Sequence, residues 1–172
     1  MSVWKYVVLL GGILGIAGFF APFMEYKAPD GTLTGASAYE IARGEVDVSP
    51  LMKKAEELGM VTHAEAERAT RILEKGVYAY RGAMIVAFLP AALIFLIGLF
   101  SFSRKKMGRL AGLSAIVLGV GAVGVWIFFF RSEPPSAQTV GQLGLGIYAL
   151  FVCGLLGVLG GLGSLVFPDR TA

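Results

Sequence analysis

Few residues in this chain have chemistry to offer, and they are scattered. The sole histidine, His63, stands close to Glu65 and Glu67 in the most polar part of the chain. Such a group could place an imidazole beside carboxylates for proton transfer, or hold a divalent cation weakly. Asp30, Glu40, His63 and Glu65 are the candidates that an enzyme would draw on, and no spacing selects among these four. A zinc site would need a second histidine or a thiolate nearby, and the sequence has neither to give. His63 is therefore expected to open a helix, not to bind metal. Cys153 is the only cysteine, which excludes an internal disulfide and a CxxC redox pair, so it is expected as a small buried apolar side chain. No Walker-type phosphate loop occurs. The expectation is a non-enzyme with no catalytic residue, no metal ligand and no cofactor.

The elements that would have to position these groups are mostly apolar helices. Of 172 residues 56% are hydrophobic and 16% charged, with a mean hydropathy of +0.72. That is more apolar surface than one soluble domain of this length can bury. Four segments, 6–24, 82–102, 110–130 and 143–167, contain no charged side chain. Each approaches or exceeds the roughly 20 residues that a helix needs to cross the hydrocarbon core. The first continues past residue 20 without a small-residue cleavage site and reads as a retained anchor. The expected fold is an all-α membrane protein: a four-transmembrane-helix bundle with a mainly helical outer cap.

Residues 103–109, between the second and third spans, hold Arg104, Lys105, Lys106 and Arg109 with no anion. Short loops dense in Lys and Arg stay cytoplasmic, so these four residues act as topology determinants. Residues 1–5 and 168–172 are then cytoplasmic, and 25–81 and 131–142 lie on the outer side, in what is expected to be a bacterial inner membrane. The loop 25–81 has 8 basic and 10 acidic side chains, a net of −2, and gives no basic surface for nucleic acid. Aromatic residues support two interfaces, with Trp4, Tyr6, Phe100, Phe102 and Phe167 at one and Phe23, Tyr26, Tyr78, Tyr80, Trp126 and Phe128 to Phe130 at the other.

Residues 25–81 carry the start and stop signals of short helices. Ser37 with Glu40 forms a capping box that Gly44 can end. Ser49, Pro50 and Gly59 bracket a second helix with Leu51, Met52, Ala55 and Leu58 on one side. Thr62 with Glu65 opens a third, on which Ala66, Ala69, Leu73 and Tyr80 share a side and which could run straight into the second span. The stretch 26–35 offers turn residues and a strand pair.

Small residues recur within the spans. Ala149, Cys153, Gly157 and Gly161 step by four along the last; Gly11 and Gly15 mark the first, and Ala111, Ala115 and Gly119 the third. Such ladders let helix backbones approach closely, either within the chain's own bundle or against another subunit. The layout of four spans, a large first outer loop, a short basic inner loop and a smaller second outer loop resembles the claudin and tetraspan plan. The resemblance is one of topology. With Trp4 and Trp126 outside the first loop and Cys153 alone, neither the claudin nor the tetraspanin signature is present, and no functional residue carries over. The expected function is that of a non-enzymatic accessory or scaffold subunit, binding protein partners through its outer cap and glycine-rich helix faces. Its partners would be membrane lipids and other membrane subunits or further copies of itself. The alternative is a channel or transporter component for a neutral or apolar solute or lipid.

Overall fold

The computed structural model describes residues 3–27, 33–45, 56, 59, 62–103, 107–132 and 141–167. The elements, in order, are α1 (Trp4–Phe20), β1 (Pro22–Lys27), β2 (Leu33–Ser37), α2 (Ala38–Arg43), α3 (His63–Ser103), α4 (Arg109–Ser132), β3 (Gly141–Leu143) and α5 (Leu145–Val166). The protein is mostly helical. Three stretches, Tyr80–Ser103, Arg109–Arg131 and Leu145–Val166, are long and apolar enough to cross a membrane. Large apolar side chains such as Leu96, Leu99, Val117 and Val120 point away from the bundle and stay exposed. An apolar surface of that extent is compatible with lipid and not with water, which marks an integral membrane protein.

The first expected span, 6–24, is shorter than its hydropathy suggested. α1 has 17 residues, about 25 Å of helix, and stops at Phe20. Pro22 is the cause, because its ring disfavours helical backbone at the preceding residue and it has no N–H to donate. Ala21 is accordingly extended, with ψ 157°, and residues 22–27 become a strand.

That strand brings a sheet to the region where a mainly helical cap was expected. β1 is the centre of a three-stranded sheet of order β2-β1-β3, antiparallel to both neighbours. Tyr26 pairs with Thr34 on one side and with Gly141 on the other. The sheet thus joins two loops that are more than a hundred residues apart. The register slips between Pro22 and Met24, so Phe23 is the bulged residue. A bulge redirects a side chain, and Phe23 is fully buried, edge-on to Phe88 of α3 and to Phe129 of α4.

α2 follows β2 directly and has the expected cap. Ser37 Oγ accepts from Glu40 N at 3.1 Å, and Ser37 N donates to Glu40 Oε2 at 2.8 Å. Gly44 ends the helix at φ 75°, left-handed backbone that suits a residue without Cβ. Ser37 is 8% exposed, so Ser37→Ala is expected to cost about 1 kcal/mol. Unfolding in mild detergent would read this, together with faster amide exchange confined to residues 37–44. The second expected helix, with Ser49, Pro50, Leu51, Met52, Ala55 and Leu58, lies outside the described residues, as do the side chains of Ala66, Ala69 and Leu73.

The third expected helix and the second span are one element. α3 runs unbroken for 41 residues, about 60 Å, with Pro90 inside it. Its neighbours are α1, against which it runs antiparallel, then α4, and α2, whose end it anchors: Arg81 Nε donates to Ala42 O at 2.9 Å. In the bundle α1 lies between α3 and α5, and α5 lies between α1 and α4. Trp4 stacks on Phe167 and Tyr6 meets Phe102 edge-on at one end. The sheet, α2 and the cluster of Phe19, Phe23, Phe88 and Phe129 occupy the other.

Candidate functional site

The polar side chains of interest lie at the start of α3. Thr62 and Glu65 form the capping box, with Thr62 N donating to Glu65 Oε2 at 2.9 Å and Thr62 Oγ1 donating to the same oxygen at 2.8 Å. Glu65 is therefore occupied by the helix start and is not a partner for His63. Instead His63 Nδ1 meets Glu56 Oε1 at 3.1 Å, and its Nε2 lies 3.8 Å from Glu67 Oε1. Glu67 also pairs with Arg71 at 3.2 Å. Glu56 was not legible as a partner, because it precedes His63 by seven residues across a turn at Gly59, φ 67°. All these groups are exposed except Glu56, which is partly buried. Among the described residues no three His, Cys, Asp or Glu side chains gather as a metal site would require. Asp30 lies outside the described residues, and Glu40 is held in the Ser37 cap.

The cluster gives the helix start a pH dependence. The Glu56 carboxylate, by hydrogen bond and charge, holds the His63 pKa above its ordinary 6.5. A raised histidine contributes stability that is complete below about pH 6.5 and lost as pH rises through its folded value. Hydrogen bonds from Thr62 hold Glu65 below 4.5. Its contribution is present above about pH 4.5 and lost as pH falls through the folded value. The first turn of α3 is expected to be best protected between those limits. Protection of the amides of residues 62–67, taken relative to their intrinsic exchange at each pH, should be greater near pH 5.5 than near pH 8, and a His63→Gln variant should abolish that difference.

The small residues of the expected ladders sit at contacts between the chain's own helices. On the seam between α1 and α5, a Cβ built on Gly11 would lie 2.9 Å from Leu156 Cβ, and one on Gly15 would lie 2.7 Å from Cys153 Sγ. Gly18 meets Ala149 at 2.7 Å in the same sense. On the seam between α4 and α5, the corresponding distances are 2.6 Å from Gly119 to Gly154 O, 3.2 Å from Gly157 to Ala115 O and 2.5 Å from Gly161 to Gly112 O. Gly11, Gly15, Ala115, Gly119, Ala149, Cys153, Gly157 and Gly161 therefore face neighbouring backbone within the bundle. The α5 ladder is not one face. Four residues overshoot a helical turn by about 40°, so Ala149 and Cys153 meet α1 while Gly157 and Gly161 have rotated onto α4.

Comparison with models of protein families, with curated proteins and with solved structures finds no match to this chain.

Of the four topology determinants, Arg104, Lys105 and Lys106 lie outside the described residues. Arg109 is the first residue of α4 and is exposed. It borders a crevice of about 590 Å³ where α3 and α4 part, lined by Ile97, Phe100, Ser101, Gly108, Leu110 and Ala111 besides Arg109 itself. This crevice had no signal in the sequence, because it depends on how the last turn of one helix sits against the first turn of the next.

Proposed function

We propose that the protein is a non-enzymatic accessory or scaffold subunit of a membrane complex, holding a partner against the helical arm formed by the first part of α3. The observation that carries this reading is the continuity of α3. Its membrane-length apolar stretch begins only at Tyr80, so 17 residues of the same helix, about 25 Å, stand beyond it. The arm carries mixed charge, with Glu65, Glu67, Arg68 and Arg71, and an exposed Ile72. Rigid coupling to a span presents a docking surface at fixed height above the bilayer at little cost in conformational entropy. The glycine ladders are filled by the chain's own helices, so the docking surface assigned here is the arm and the sheet end.

In this reading α1 is a fourth span. It runs beside nearly all of α5, from Trp4 against Gly163 to Gly18 against Gly146, and a helix so paired with a spanning neighbour shares its depth. The basic residues 103–109 put that end on the cytoplasmic side of a bacterial inner membrane and the arm on the outer side. Transport of a neutral solute along glycine carbonyls is less favoured, because Gly112 O, Gly119 O and Gly154 O face the adjacent helix.

A photo-crosslinking residue at position 72 tests the proposal in the native membrane. A discrete adduct with one other protein is expected at 72 and not at lipid-facing position 117. Equal labelling of lipid at both positions would contradict the docking role.

A further inference from the structure

The crevice between α3 and α4 combines three features that no single packing role requires. Its walls are apolar, built from Ile97 and Phe100 on α3 and Leu110 and Ala111 on α4. Leu110 is 82% and Phe100 66% exposed, so the crevice opens sideways, toward the region where acyl chains run. Two side chains on its lining are polar. Ser101 is 4% exposed and has no hydrogen-bond partner among the described residues. Arg109 forms no ion pair or hydrogen bond among them either. The third feature is the start of α4 itself. Gly112 N already donates to Gly108 O at 3.1 Å, whereas the N–H groups of Arg109, Leu110 and Ala111 precede this first helical donor and carry the positive end of the helix dipole.

A guanidinium, backbone donors without a partner among the described residues and a hydroxyl at the mouth of an apolar crevice are the complement of one kind of molecule: an anion attached to a hydrocarbon chain. We propose that this crevice binds one anionic phospholipid. Its phosphate is held by Arg109 and the first N–H groups of α4, a glycerol or ester oxygen is reached by Ser101, and an acyl chain lies against Ile97, Phe100 and Leu110. Within α3 and α4 no acidic side chain opposes that charge, because residues 82–132 contain no Asp or Glu. Free inorganic phosphate shares the head-group chemistry but would leave the apolar walls uncovered, which is why a lipid is the assigned occupant. The inference rests on the membrane reading and is independent of any docking partner.

The test is native mass spectrometry of the full chain, released from vesicles of phosphatidylcholine containing phosphatidylglycerol. One phosphatidylglycerol per chain is expected to survive release in preference to phosphatidylcholine. Arg109→Gln should reduce its retention about fivefold, the size of one arginine's attraction to anionic lipid. Ala111→Trp should remove it by filling the crevice, and thermal unfolding in detergent would establish that both variants remain folded. Equal retention of the two lipids, or retention unchanged in either folded variant, would overturn the proposal. Complete displacement by millimolar inorganic phosphate would overturn it too, by showing that the apolar walls contribute nothing.

Discussion

Phe23→Ala is expected to be among the most damaging single substitutions in the protein, lowering stability by about 3–5 kcal/mol. Phe23 is fully buried and its ring centroid lies 5.0 Å from that of Phe129 and 6.2 Å from that of Phe88. It thereby touches α3 and α4 from a strand that belongs to neither. Its carbonyl accepts from Gly144 N at 2.9 Å, which fixes the bulge to the start of α5. Removing the ring leaves a cavity where four elements meet, and the bulge has no other reason to point inward. Equilibrium unfolding in detergent would measure the loss. Amide exchange should rise together in β1 and β3, and Phe23→Leu should recover most of the stability, since volume-conserving apolar swaps cost less than about 1.5 kcal/mol. A Phe23→Ala variant as stable as the wild type would contradict the placement of the sheet.

Gly154→Leu is expected to cost about 3 kcal/mol or to prevent assembly of the bundle. A Cβ at 154 would lie 2.7 Å from Gly119 O and 3.1 Å from Val123 N. Both are backbone atoms, and neither can give way by rotating a side chain. The approach is reciprocal, because a Cβ on Gly119 would lie 2.6 Å from Gly154 O. Helices α4 and α5 would have to separate along the whole seam, losing the close backbone contact that substitutes for a hydrophobic driving force in lipid. Gly124→Leu on the same α4 is the control. Nothing lies within 4 Å of a Cβ there, so its effect should stay within about 0.5 kcal/mol. If the two variants unfold alike, the seam is not where it is described.

Much of the fold could be read from local signals. The caps at Ser37, Gly44 and Thr62 are set by residues within one turn of each other, and the structure has them where the spacing put them. The spans at 82–102, 110–130 and 143–167 follow from length and hydropathy alone. What was not legible depends on contacts distant in sequence, or on a rule that hydropathy ignores. Residues 21–24 are as apolar as a helix end, yet Pro22 turns them into a strand. β3 has only three residues, Gly141–Leu143, too few to show alternation, and it exists because β1 offers it an edge. The small residues at 149, 153, 157 and 161 were visible as a ladder, but a strict step of four winds around the helix instead of following one side. Hence one apparent face became parts of two seams. His63 shows the same limit at the polar end: its carboxylates were sought within four residues, and the nearest one comes from Glu56 across a turn.

In the proposed function the arm of α3 holds a different protein chain at a fixed position on the membrane. Native mass spectrometry of the protein released gently from its own membrane, with lipids retained, tests it most directly. A defined complex of this chain with another subunit at constant stoichiometry is expected, lost when Ala79→Pro breaks the helix between arm and span. A single chain, or a homo-oligomer alone, in every mild detergent would contradict it.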